Sequence, residues 1–283
     1  MSPLLEVEGL HKSFPTARNI FGRVTERTVV TKDVSFTVAT GETLGIVGES
    51  GAGKSTVGRQ VLRLIEPDSG VVRFDGKNVR DLGGKDLLAF RRRAQMIFQD
   101  PFSSLDPHMT IRNAVGEPLT IHYGIKGDER DRRVVDILER VGMRADQLDK
   151  YPREFSGGQL QRIAIARALT LDPDFIVCDE PVAALDVSIQ AQVLNLLLDL
   201  QKERGLAYIF ISHDLSLVRF LAHRVVVMYR GEVVETGTAE ELFERPQHPY
   251  TKSLVEAVPD PRTRRRTTST ARIDTARNPA EAR

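Results

Sequence analysis

The densest chemical signal is Gly48-Glu49-Ser50-Gly51-Ala52-Gly53-Lys54-Ser55-Thr56, which meets the pattern G-x-x-x-x-G-K-[ST] through Gly48, Gly53, Lys54 and Ser55. It follows the apolar segment 43–47 and precedes the helix-like 57–62, the strand, loop and helix context that the pattern requires. Glycines let successive backbone N–H groups turn inward on phosphates, and the N-terminus of the following helix adds partial positive charge. In such a loop Lys54 reaches β- and γ-phosphates and the Ser55 hydroxyl ligates Mg²⁺. The bland alternative, a Gly-rich turn, is disfavoured by the complete motif in that context. A second signal is the apolar run Phe175-Ile176-Val177-Cys178, which ends in Asp179-Glu180. Carboxylates are expensive in a core, so two at the end of a buried strand should face a cation or a reacting water. Asp179 suits Mg²⁺ and Glu180 suits the water.

Weaker signals stand at comparable places. His213 follows the apolar strand 207–211, and at the C-terminal edge of a parallel sheet a histidine sits where ligands bind, although a lone histidine is usually structural. Ser156-Gly157-Gly158-Gln159 precedes the helix-like 160–169 and puts a hydroxyl and glycines at a helix N-terminus; alone it reads as a cap and turn. Phe14 closes the first strand, where its ring can stack on adenine or pack in the core, and spacing leaves both open.

The elements that must position these groups alternate. Residues 4–10, 28–31 and 34–38 read as short strands, an antiparallel layer ahead of the phosphate loop, with polar, basic Pro15 to Arg27 as an extended hairpin loop between them. Strands are expected at 71–74 and 95–98, the latter ending at Gln99. Asp100-Pro101 and Asp106-Pro107 then break the pattern, and 128–141 carries Val134, Ile137, Leu138 and Val141 on one helical face. This reads as a helical insertion, about 100–170, in an α/β chain. An amphipathic helix 187–204 closes at Gly205, strands 225–228 and 232–235 flank Arg230-Gly231, and a helix covers 239–243. From 261 to 283 the chain is Arg-, Thr- and Ala-rich, which reads as a basic, disordered tail, a solvated end or one touching anionic surfaces.

Composition narrows the class. With 283 residues, 41% hydrophobic and 28% charged, the chain can bury a large core. A net charge of +1 argues against nucleic-acid binding by bulk electrostatics. One cysteine, Cys178, excludes a disulfide framework or a cysteine-held cluster made by this chain alone. No segment approaches the roughly 18 apolar residues of a membrane span, and the N-terminus lacks a signal-peptide pattern. A cytoplasmic protein that reaches a membrane through partners is expected.

The order phosphate loop, Gln99, Ser156-Gly157-Gly158-Gln159, Asp179-Glu180, Ala184-Leu185-Asp186, His213 resembles the ATP-binding cassette of ABC transporters, over about residues 4–260. Phe98-Gln99-Asp100-Pro101-Phe102-Ser103-Ser104-Leu105-Asp106-Pro107 and Pro246-Gln247-His248-Pro249-Tyr250-Thr251 look like the ATPase subunit of the oligopeptide/dipeptide importers, the F-type more than the D-type. The resemblance implies a P-loop fold with a mainly parallel core sheet, an N-terminal antiparallel layer and an inserted helical subdomain, a cassette domain over 1–260 and an importer-type segment at about 236–260. It implies MgATP held between two head-to-tail cassettes. Ser156 and Gly158 would meet the γ-phosphate held by the partner's loop. Gln99 would sense Mg²⁺ and water while its neighbours touch the membrane subunits. His213 would hold the γ-phosphate and orient Glu180, Asp186 would act across the dimer, and Phe14 takes the adenine-stacking position.

The implied partners are a second cassette, in a heterodimer with a D-type subunit or with itself, two transmembrane permeases and, indirectly, an extracytoplasmic solute-binding protein, at the cytoplasmic face of the plasma membrane. Ala183 departs from the family's usual serine, which removes one possible cross-dimer hydrogen bond. The rival reading, a soluble ABC-type ATPase acting on DNA or ribosomes, usually brings a long coiled coil, zinc cysteines or two cassettes in one chain, and these are absent from this sequence.

Overall fold

The computed structural model describes residues 2–18 and 23–257. The chain opens with β1 (Leu5–Arg18), β2 (Val24–Val38), β3 (Thr43–Val47), α1 (Lys54–Val61), β4 (Ser69–Phe74) and β5 (Lys77–Asn78). Next come α2 (Gly84–Arg93), β6 (Ala94–Ile97), α3 (Pro101–Ser104), α4 (Ile111–Tyr123), α5 (Gly127–Arg140) and α6 (Gly157–Leu169). Then follow β7 (Phe175–Asp179), α7 (Val187–Arg204), β8 (Ala207–Ser212), α8 (Leu215–Leu221), β9 (Arg224–Tyr229), β10 (Glu232–Thr238), α9 (Ala239–Glu244) and α10 (Pro249–Glu256).

The strands form two sheets. One is antiparallel in the order β2-β1-β4-β5. The other runs β10-β9-β3-β8-β7-β6 and is parallel except where β10 returns along β9. The expected antiparallel layer and mainly parallel core are both present, and β4 and β5, which follow the phosphate loop, complete the antiparallel layer.

Strand periodicity explains how the layers stack. Successive side chains on a strand point to opposite faces. On β7, Phe175 and Val177 pack with Leu5, Leu10, Val34 and Val57, on the side of the antiparallel sheet and α1. Ile176 and Cys178 pack instead with Ile111, Leu138, Leu160 and Ile163, on the helical side. Covered on both faces, β3, β7 and β8 are buried throughout, which is why they read as unbroken apolar runs. Cys178 is fully buried there, and burial pushes its thiol pKa up.

Several elements differ from expectation. Within the stretch expected as a hairpin loop, Pro15 to Arg27, β1 runs on to Arg18 and β2 begins at Val24, paired through Phe14↔Thr28, Pro15↔Arg27 and Ala17↔Glu26, while residues 19–22 lie outside the described residues. The β2 half of this arm, 24–29, is exposed, so its ladder rests on backbone hydrogen bonds that composition does not report. Helices α2, α8 and α10 were not expected; α4 falls within the expected helical insertion but is not singled out by the sequence. In α4 the internal Pro118 obscured the helical spacing of Ile111, Ala114, Val115 and Leu119, all buried. Arg112 ties this helix to Asp131 of α5 at 2.7 Å and to Asp149 at 3.0 Å, and Arg167 of α6 reaches Glu117 at 2.8 Å. The basic stretch 261–283 lies outside the described residues.

Phe175 is fully buried and lies 6.2 Å from the Phe74 ring, so it joins the two sheets. Phe175→Ala is expected to destabilise the chain by about 3–5 kcal/mol, read from equilibrium unfolding in denaturant; a midpoint equal to wild type would contradict this packing.

Candidate functional site

Sheet order assembles the site. β3, β8, β7 and β6 are neighbours, and the register pairs Val47 with Ser212, Asp179 with Ile211 and Ile97 with Cys178. Their C-terminal ends are therefore nearly level. From that edge the chain delivers the phosphate loop after β3, His213 after β8, Glu180 after β7 and Gln99 after β6. Val30, Ser50, Gly51, Gly53, Lys54, Ser55, Thr56, Gln99, Glu180 and His213 line one open cleft of about 550 Å³.

The loop is held by close backbone approaches. A Cβ on Gly48 would lie 2.2 Å from the Met228 carbonyl oxygen, and one on Gly53 would lie 2.4 Å from that of Val30. Both residues have positive φ, 152° and 96°, which glycine adopts without a steric cost. Glu49, Ser50 and Gly51 are exposed while Ala52 and Gly53 are buried, so the loop presents its middle to solvent. Gly53 caps α1, which directs the helix N-terminus at the cleft.

Lys54 is 5% exposed, and its Nζ donates to the Gly48 and Glu49 carbonyls, each at 2.8 Å. Burial lowers its pKa against the opposing pull of Glu180 and Asp179. Asp179 is 2% exposed; burial raises its pKa against the Ser55 hydrogen bond and the Arg59 charge. The Ser55 hydroxyl donates to Asp179 Oδ1 at 2.7 Å, and Arg59 stands 3.9 Å from the same carboxylate. A lysine lowered and an aspartate raised by burial are groups that an anion and a cation, respectively, would stabilise.

Glu180 closes the opposite side. Its Oε2 accepts from Gln99 Nε2 at 3.2 Å and lies 3.1 Å from His213 Nδ1. With the carboxylate as acceptor, the proton of a neutral His213 sits on Nδ1, which leaves Nε2 as the bare acceptor. Glu180 has φ 47°, a left-handed backbone that costs a non-glycine residue about 1–3 kcal/mol, and its N–H is fixed by the Ile211 carbonyl at 3.0 Å.

Not every expected residue joins this cleft. Phe14 stands outside its lining, half-buried on β1 with the Lys12 ammonium 5.6 Å from its ring centre. Ser156, Gly158 and Gln159 line a separate recess of about 460 Å³ with Arg144, Arg162 and Gln192. Ser156 caps α6, its hydroxyl accepting from Gln159 N–H at 3.4 Å while the Gln159 side chain accepts from Ser156 N–H at 3.0 Å; Gly157 is the first helical residue. Asp186 is exposed at the start of α7. Two contributors lie outside the sequence motifs: Arg59, which helical i,i+4 spacing from Ser55 reveals, and Val30, whose place depends on how the sheets meet.

The chain matches the family described as "ABC transporter" over residues 31–183 and "Oligopeptide/dipeptide transporter, C-terminal region" over 234–282. It is 53% identical to the oligopeptide transport ATP-binding protein OppF of Bacillus subtilis, across 91% of this chain and 83% of that one. It is 49% identical to the glutathione import ATP-binding protein GsiA of Pectobacterium atrosepticum across 93% of this chain, which spans only 43% of that longer protein. Among solved structures it resembles the dimeric post-hydrolysis state of the ATP-binding cassette MJ0796 bound to ADP and Pi, with a TM-score of 0.74 and 30% identity over 83% of this chain and 98% of that one. It also resembles cbiO1 of Clostridium perfringens, part of the transporter complex cbiONQ, with a TM-score of 0.72 and 30% identity over 87% of this chain and 93% of that one. The phosphate loop, the level strand ends and these matches meet in one conclusion: the chain belongs to the ABC transporter family, in its oligopeptide/dipeptide branch.

Proposed function

We propose that this chain is the ATP-hydrolysing subunit of a membrane importer for peptides or similar small solutes. The observation that carries the reading is Glu180, held at one carboxylate oxygen by Gln99 and His213 and set across the cleft from a complete phosphate loop. The relatives named for oligopeptide transport and glutathione import support the importer half.

Lys54 exchanges the loop carbonyls for the β- and γ-phosphates, and the loop N–H groups close around them. Ser55, Asp179 and Gln99 supply hard oxygen donors of the kind Mg²⁺ takes, and among the described residues no group of three or more His, Cys, Asp or Glu side chains forms a metal cage. These three residues would hold Mg²⁺, which when bound would neutralise charge on the β- and γ-phosphates. Glu180 polarises the water for in-line attack, His213 Nε2, an acceptor in this tautomer, is open to a proton carried by the γ-phosphate, and Gln99 keeps the water in register. Ser156, Gly157, Gly158 and Gln159, in their separate recess, act on nucleotide held by a second, D-type cassette, with Asp186 at that interface. Phe14 stacks on adenine from the strand edge.

Phe102 of α3 is 56% exposed two residues past Asp100 and suits contact with a permease, which links Gln99 to transport. No helix among the described residues is long and apolar enough to cross a membrane. The chain acts at the cytoplasmic face through two permeases, and a solute-binding protein and those permeases select the cargo.

Glu180→Gln is expected to keep ATP binding and lower turnover by at least about 10²-fold, measured as phosphate release; wild-type turnover would refute the role. Lys54→Ala is expected to weaken ATP binding in titration with a fluorescent analogue, and unchanged affinity would count against it. Mass spectrometry of proteins copurifying from native membranes should recover two permeases and a second cassette. Recovery only from the soluble fraction, with ribosomes or DNA-repair proteins, would favour a soluble ATPase instead.

A further inference from the structure

The C-terminal segment reaches back to the phosphate loop. The backbone N–H of Glu49 donates to the Tyr250 hydroxyl at 2.8 Å. This N–H belongs to the same peptide unit as the Gly48 carbonyl, which accepts from Lys54 Nζ at 2.8 Å. A trans peptide is a rigid plane with its N–H and C=O pointing in opposite directions. Holding the N–H outward on Tyr250 therefore holds the carbonyl inward on Lys54.

Tyr250 is itself firmly placed. Its ring packs against that of Tyr229, centroids 4.3 Å apart and the planes tilted by 35°, and Tyr229 follows Met228, the residue whose carbonyl abuts Gly48. Its N–H donates to His248 Nδ1 at 3.2 Å at the start of α10, where Pro249 fixes the first helical residue. Glu235 of β10 anchors that turn by accepting from the backbone N–H groups of Gln247 at 2.8 Å and His248 at 2.9 Å. The anchor, the packed ring and the hydroxyl form a continuous chain of contacts from β10 to the loop.

We propose that Tyr250 is a positioning residue for nucleotide binding: its hydroxyl sets the Gly48–Glu49 peptide plane and, through it, the resting place of the Lys54 ammonium that receives the phosphates. This rests on the nucleotide-binding reading above. The C-terminal segment is thereby a part of the phosphate site rather than an appendage to the cassette.

Tyr250→Phe tests it, because it removes the hydroxyl and keeps the ring on Tyr229. The full chain is titrated with MgATP by displacement of a fluorescent ATP analogue, and its thermal midpoint is measured alongside. The expected result is an affinity about 2- to 10-fold weaker, the range of one ordinary hydrogen bond, with the midpoint unchanged. Glu235→Gln, which loosens the anchor and leaves Tyr250 in place, should weaken binding in the same direction. The double variant should show less than the product of the two effects, since both act through one contact. Affinity equal to wild type in Tyr250→Phe overturns the proposal, as does a lowered midpoint without a change in affinity. A wild-type chain that binds no MgATP would instead overturn the nucleotide reading beneath it.

Discussion

Everything at the site depends on two carbonyl groups standing where a side chain would otherwise begin. The Met228 oxygen fills the space beside Gly48 and the Val30 oxygen fills that beside Gly53. Met228 belongs to the parallel sheet and Val30 to the antiparallel one. The phosphate loop is thus pinned at the joint between the sheets, and its shape is a consequence of how they meet. Because a packed interior yields little to strain, the loop can hold its N–H groups ready before any ligand arrives.

The same joint explains the charges. Lys54 and Asp179 are both nearly buried, and burial disfavours the ionised form of each. Their attraction, with Arg59 nearby, offsets part of that cost but leaves each group better served by a ligand of opposite charge. The left-handed backbone of Glu180 belongs to the same pattern, a strained residue held at the end of β7 by the Ile211 carbonyl of the neighbouring strand. Preorganisation here consists of costs borne in the resting state.

Much of this was legible in the sequence for a simple reason. Residues 48–56, Asp179-Glu180 and His213 each follow an unbroken apolar run, and a run buried on both faces announces both a strand and its exit point. What the sequence could not give was the third dimension at those exits. Val30 lines the cleft only because the sheets cross there, and Phe14, whose two readings were open, lies on the strand beside the cleft rather than in its wall. The paired ends of the stretch from Pro15 to Arg27 carry no strand signal because a two-stranded ladder needs no apolar stripe. Helix α4 was hidden by Pro118, although its buried positions keep helical spacing.

The place of Cys178 has a practical consequence. It is the chain's one cysteine, wholly enclosed between the sheet and the helical layer, with a thiol that burial keeps protonated. The thiolate is the reactive form, so alkylating reagents meet almost none of it in the folded chain. The folded chain is therefore expected to behave as cysteine-free toward labelling. A single cysteine introduced on the surface would carry a dye or spin label without prior removal of the native one, and slow modification of Cys178 itself would clock the opening of the core.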